Sequence, residues 1–220
     1  MSDLKQRRAE EKEQRREAIV DAAERVFTTT GFEAATMEDV AKVARVSRAL
    51  VYLYFKNKSE LHFAICARAL RLLRERFLAA AEQHARGYDQ VVALGEAYIA
   101  FADEYPCYFL ALSRFEAHAP EDVEDGSTEQ SVLECGRAVH QVTVDCLVRG
   151  MRDGSVRADL DNPLLAAMSL WAFTHGLIQL ARTKRHFFSQ IGITTPQFAE
   201  YAIDFGMRGL RPQAARSAEG

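Results

Sequence analysis

Ser47-Arg-Ala-Leu-Val-Tyr-Leu-Tyr-Phe-Lys-Asn-Lys58 reads as a short helix that opens on a serine cap and stops in a polar turn. Val51 and Phe55 lie four apart and share its inner face, while Arg48, Ala49 and Tyr52 share a neighbouring, outward one. Just upstream, Thr36 caps a second short helix with Glu38 and Asp39 in its first turn and Met37, Val40, Ala41 and Ala44 on its apolar side. Two capped helices joined by Arg45-Val46 are the signature of a helix-turn-helix unit.

Outward from this pair the chain stays helical. Ile19, Ala22, Ala23, Val26 and Phe27 recur at one-face spacing and predict a helix over about Arg15–Thr30, stopped by Gly31, with residues 1–16 an arm or frayed helix start. Asn57-Lys-Ser-Glu60 has the form of a capping box and begins a long helix running to about Gly87. Asp89 is a candidate cap for the next helix, which Pro106 ends, and a short apolar helix follows to about Glu116. Residues 119–128 are acidic, with Pro120 and Gly126, and read as a loop. Further helices are expected over about 129–152, from Asn162-Pro163 to about Lys184, and from Thr195-Pro196 to Pro212. The expected fold class is all-α, with about nine helices and no strands. A three-helix head (1–58) precedes a larger helical bundle (59–220).

The totals fit that outline. Only 5 prolines and 12 glycines interrupt 220 residues, and 48% of residues are apolar, enough for a sizeable core. The charged N-terminus lacks an apolar stretch, so no export signal is expected. No stretch of about 18 uncharged apolar residues is read in the chain, so no membrane span is expected, and the expected location is cytoplasmic. Cys66, Cys107, Cys135 and Cys146 are irregularly spaced and read as reduced thiols. No histidine pair stands at i, i+4 beside a cysteine pair, so neither metal nor cofactor is expected. The net charge is −3, yet residues 1–60 hold 12 Lys/Arg against 11 Asp/Glu, so placement rather than total must carry any nucleic-acid signal.

In the head the placement is informative. A recognition helix lies in the major groove and reads base edges from its first turns. Arg48 can donate two bonds to a guanine edge, and Ala49 and Leu50 can touch a thymine methyl. Ser47, Tyr52, Tyr54, Lys56 and Lys58 suit phosphate oxygens.

The run from Thr36 to Leu61, with Tyr52-Leu-Tyr-Phe-Lys-Asn-Lys58 its most specific part, resembles the DNA-binding head of the tetracycline-repressor (TetR) family. The resemblance covers about Arg15–Leu61. It implies a homodimeric transcriptional regulator, usually a repressor, that binds a double-stranded operator and whose C-terminal bundle takes a small-molecule effector. By position, Arg48, Ala49 and Tyr52 correspond to base-facing residues, and Thr36, Ser47, Tyr54 and Lys58 to backbone contacts. Arg45 stands where the family often has glycine, and is a further candidate phosphate contact.

In the bundle, the helix from Asn162 is apolar nearly all round, and with the last helix offers more apolar surface than one copy's core needs. A homodimer through these two helices is expected. Tyr98, Phe101, Tyr105, Tyr108, Phe109 and Trp171, with His140 and His175 as polar partners, are candidates for an apolar or aromatic effector site. The rival reading is an all-helical enzyme or a bundle that binds no DNA. No paired catalytic carboxylates, Ser/His/Asp order or Gly-rich phosphate loop supports an enzyme.

Overall fold

The computed structural model describes residues 2–118 and 122–212, and among them ten helices and no strand occur. They are α1 (Ser2–Thr30), α2 (Met37–Ala44), α3 (Arg48–Tyr54), α4 (Lys58–Glu82), α5 (Gly87–Glu104), α6 (Pro106–Glu116), α7 (Thr128–Asp153), α8 (Pro163–Thr183), α9 (Arg185–Gln190) and α10 (Thr195–Arg208).

The count of nine therefore omits α9. Lys184 serves as both the C-cap of α8 and the N-cap of α9, without a side-chain cap bond, so no proline, glycine or polar cap marks the break. α1 extends to Ser2, well ahead of the expected Arg15, and ends where Gly31 takes φ 81°. α4 stops at Glu82 rather than near Gly87. Part of the expected acidic loop, 119–121, lies outside the described residues, as does the polar tail from 213.

The local signals at α2 to α4 form as their residue types dictate. Thr36 accepts from the Asp39 N–H at 3.2 Å, and Asp39 accepts from the Thr36 N–H at 3.1 Å, a closed capping box. Ser47 accepts from the Leu50 N–H at 3.2 Å. At α4, Asn57 accepts from the Glu60 N–H at 3.0 Å, but the Glu60 carboxylate reaches one residue further back, to the Lys56 N–H at 2.6 Å. α2 ends in a Schellman motif: the Val46 N–H donates to the Ala41 carbonyl and the Arg45 N–H to that of Lys42. That motif needs a left-handed residue, and Arg45 takes φ 57°, ψ 42°.

Two compact units divide the chain. The first comprises Met1–Ala69 and Cys107–Glu134, the second Leu70–Pro106 and Cys135–Gly220. In the first, Ile19, Ala23 and Val26 of α1 pack with Val40 of α2, Val51 of α3, Phe55, and Leu61 and Ile65 of α4. The alanines of α1 bring helix backbones close, and each buried Val, Leu, Ile or Phe stabilises by about 1.5–3 kcal/mol. Arg68 fastens α4 to α1 by ion pairs of 2.7 Å to Glu24 and 2.8 Å to Asp21.

In the second unit Leu94, Phe101, Val139, Leu147, Leu177, Ile178 and Met207 are buried. The start of α5 is not capped by Asp89, which lies inside the helix. Instead the Gly87 N–H donates to Asp153 at 2.8 Å and the Tyr88 N–H to Ser155 at 3.0 Å, both beyond the far end of α7 or in its last turn. Gly87 also meets Gly150 so closely that a Cβ on Gly87 would stand 2.1 Å from the Gly150 nitrogen. Both positions require glycine for this approach.

α8 corrects one expectation. It is long and apolar enough to cross a membrane, with a mean hydropathy of 1.4 over 18 residues, and only 22% of that window is buried within the chain. Its Asn162 accepts from the Leu164 and Leu165 N–H groups, as expected of a cap.

Candidate nucleic-acid interface and ligand cavity

In the first unit α3 shows its outer face to solvent. Arg48, Ala49 and Tyr52 are exposed there, with Leu50 half-buried. The Arg48 guanidinium lies 5.4 Å from the centre of the Tyr52 ring and donates to the Tyr52 hydroxyl at 3.5 Å. Stacking on the ring narrows the arginine's rotamers before any base is met. Beside this polar pair runs an apolar one, Ala49 and Leu53, four residues apart. Leu53 is 77% exposed, the most exposed large apolar side chain on the face, and was absent from the sequence-derived candidates. Its only signal was the i, i+4 relation to Ala49.

Around this face lie Arg45, Ser47 and Lys56, all exposed, and the half-buried Tyr54. Thr36 is exposed but its hydroxyl already donates to Asp39 at 2.6 Å. Those bonds from Thr36 hold the Asp39 carboxyl below the usual carboxylate range, so the cap stays ionised.

Lys58 is placed differently from the exposed cations. Its ammonium donates to the backbone carbonyls of Phe32, Glu33 and Ala35 at 2.6, 2.9 and 3.0 Å. An ammonium has three N–H donors, and all are used. The residue secures the α1–α2 loop, and so the position of Thr36, from the first turn of α4. Arg114 of α6 grips the same loop, stacking 4.0 Å over the Phe32 ring and pairing with Glu33.

The second unit holds an apolar cavity of about 680 Å³, counting its open mouth, between α4, α5, α7, α8 and α10. Of the expected ligand residues, Tyr98, His140 and Trp171 line it. His175 stands behind Tyr98, whose hydroxyl lies 2.9 Å from its Nδ1. Burial pushes the pKa of both histidines down, so they are neutral at pH 7. Phe101 is fully buried against Tyr98 and Tyr105, and the Tyr105 hydroxyl accepts from Arg76 at 2.9 Å. Neither lines the cavity. Tyr108 and Phe109 belong to the first unit, where the Tyr108 hydroxyl donates to Glu24 at 3.0 Å. The sequence candidates omitted Thr143 and Thr174, which also line the wall. Thr143 follows His140 by three on α7, the one pattern that pointed to it.

Elsewhere the four cysteines are free, and burial raises the Cys146 thiol to about 11 and Cys66 further still, which leaves both as unreactive thiols. No cluster of three His, Cys, Asp or Glu able to hold a metal occurs among the described residues.

A capped helix pair with an exposed arginine–tyrosine face, followed by a helical bundle, is the architecture of a helix-turn-helix regulator. Residues 19–65 match the family model "Bacterial regulatory proteins, tetR family", and residues 91–205 match "Tetracyclin repressor-like, C-terminal domain". The latter match spans over half the chain, and the chain belongs to the tetR family. It is a DNA-binding transcriptional regulator, from a family of transcription factors rather than enzymes.

The chain is similar to the HTH-type transcriptional regulator TtgR of Pseudomonas putida, with 26% identity over 182 residues, 79% of this chain and 82% of that one. Likeness to the uncharacterized HTH-type regulator YhgD of Bacillus subtilis is confined to 62 residues at 39% identity, 28% of this chain and 32% of that one. Among solved structures, FadR of Bacillus subtilis in complex with stearoyl-CoA superposes with a TM-score of 0.67 at 17% identity, covering 88% of this chain and 98% of that one. A Rhodococcus protein of unknown function gives 0.70 at 22%, covering 90% and 95%. These structures share the fold.

Proposed function

We propose that this regulator is a dimeric repressor that binds a palindromic operator and leaves it when a small apolar or aromatic effector fills the cavity of the second unit. Residues 1–58 read DNA, and 59–220 bind the effector and form the dimer. The observation that carries the reading is the outward face of α3. Arg48 and Tyr52 address bases, Ala49, Leu50 and Leu53 address thymine methyls, and Ser47, Tyr54, Arg45 and Lys56 address phosphates. Thr36 and Lys58 act behind that surface, by fixing the start of α2.

Dimerisation is supported by the apolar side chains that α8 and α10 leave exposed, including Leu164, Leu165, Tyr201 and Phe205. Covering them with a second copy's identical face answers both their exposure and the need to reach two successive major grooves. The length of α8 would also suit a membrane span. Against that, Ala167, Leu170, Trp171 and Thr174 of α8 form a wall of the cavity, and its Leu177 and Ile178 are buried in the unit's core. The protein then works in the cytoplasm, beside the chromosome.

The switch is a shift between two populations of the dimer, one whose recognition helices match the operator and one that the effector favours. Effector and operator weaken each other's binding by the same factor. Footprinting on DNA upstream of the chain's own coding region tests the reading. A protected palindrome is expected, and Arg48→Ala with Tyr52→Ala should weaken its binding by about 100-fold or more with the melting temperature unchanged. Equal binding by that double variant would remove α3 as the reading helix.

A further inference from the structure

We infer that the effector is an uncharged, mainly aromatic molecule with one hydrogen-bonding end, and that this end lies against His140 and Thr143 of α7. The inference rests on reading the cavity as the effector site.

The wall contains eighteen residues and not one Asp, Glu, Lys or Arg. An ionised ligand group would therefore lose its water without gaining a counter-charge, so charge is selected against. The wall is not uniformly apolar, however. His140 lines it and makes no hydrogen bond with any described residue; its ring meets Trp171 edge-on, 5.4 Å between centres. Thr143 lines it, is 8% exposed and likewise has no hydrogen-bond partner among the described residues. Yet no fully enclosed side-chain nitrogen or oxygen among the described residues lacks a partner. The Thr143 hydroxyl is therefore left open to the cavity space.

Residues three apart on a helix share a face, so these two polar groups converge. A neutral imidazole offers one donor and one acceptor, and a threonine hydroxyl offers both. Together they suit a phenol, a neutral amide or a ketone. The rest of the wall suits a flat apolar body: Trp171, Phe77 and Phe173 provide ring surfaces. The Tyr98 hydroxyl, engaged with His175, contributes mainly its ring.

Trp171 is the single tryptophan of the sequence, so intrinsic fluorescence of the full chain reports occupancy of this wall directly. Three probes that share a biphenyl body separate the alternatives: 4-phenylphenol, biphenyl and biphenyl-4-carboxylate. Saturable quenching is expected from 4-phenylphenol, about 5-fold tighter than from biphenyl and about 100-fold tighter than from the carboxylate. In the double variant His140→Phe with Thr143→Val, the advantage of the phenol over biphenyl should disappear. Far-ultraviolet circular dichroism of the variant should match that of the original chain, which shows that the variant is folded.

A carboxylate that binds as tightly as the phenol overturns the ligand class while leaving the cavity a binding site. A phenol advantage that persists in the double variant overturns the role of His140 and Thr143. Absence of quenching by all three probes overturns the cavity as the site. Operator binding measured with 4-phenylphenol present separates the underlying reading. Weaker operator binding supports it, and saturable quenching with unchanged operator affinity overturns the effector role.

Discussion

Arg68 in the first unit is met by three carboxylates, whereas Leu165 and Phe205 in the second stand 64% and 61% exposed. The contrast runs through both units. In the first, the polar groups that hold the fold find partners close at hand: a capping box at Thr36, a Schellman turn at Arg45, a fully engaged Lys58. What it exposes on α3 is mixed, Arg48 and Tyr52 beside Ala49 and Leu53, with Arg45, Ser47 and Lys56 around them, the right chemistry for the bases and phosphates of a wet, anionic partner. The second unit leaves leucines and aromatics of α8 and α10 in water and keeps a hollow between its helices. One unit reads as a finished object with a working face. The other leaves an apolar face that the proposed second copy would cover and a cavity that the proposed effector would fill.

That contrast breaks most visibly at the apolar face. Leu165→Glu with Phe205→Glu places two carboxylates on the proposed dimer surface, and should weaken self-association by about 100-fold or more. Sedimentation velocity should show monomers with unaltered helicity. A variant that still sediments as a dimer would move the interface away from α8 and α10. Next in size is Gly87→Ala. Its methyl would collide with backbone atoms of Gly150, which cannot swing aside as a side chain can. A loss of about 3 kcal/mol is expected, lowering the melting temperature by roughly 8 °C. A melting temperature unchanged by calorimetry would mean that the α5–α7 contact relaxes freely.

Lys58→Met sharpens the contrast from the other side. The stem is kept, but three loop carbonyls lose their donor, at a cost of about 2 kcal/mol. Urea unfolding measures it, and an unshifted midpoint would strike Lys58 from the groups that secure the head. The smallest effect expected is a gain. Arg45→Gly relieves a left-handed backbone at a non-glycine residue, worth about 1 kcal/mol of added stability. If Arg45 also meets a phosphate, operator affinity should fall a few-fold and depend less on salt. A destabilised glycine variant would show that the arginine side chain does more for the turn than its strain costs.

The same division explains what could be read in advance. Caps at Thr36, Ser47 and Asn57 act within three or four residues, so sequence spacing reveals them. The spacing of Val51 and Phe55 against Arg48 and Tyr52 likewise separates inner from outer face within one helix. Lys58 is the exception in this part of the chain: its partners lie 23 to 26 residues upstream, and nothing local marks it as a clamp instead of a phosphate ligand. In the second unit most decisive contacts are of that distant kind. α5 is capped by Asp153 and Ser155, over sixty residues on, so the nearby Asp89 was a misleading candidate. Grouping aromatics by closeness in sequence joined Tyr108 and Phe109 to Tyr98, although α6 folds with the first unit. His140 and Thr143 become meaningful only once Trp171 is placed across from them.

Lys58 also has a consequence for chemical reactivity. With every N–H engaged by a carbonyl, its nitrogen is not presented to an acylating reagent while the α1–α2 loop is in place. Lys56, two residues away and exposed, has no such protection. The ratio of labelling at these neighbours is thus an internal gauge of the head's integrity. It needs neither DNA nor effector, and it would register loosening of that loop in cells as readily as in a purified sample.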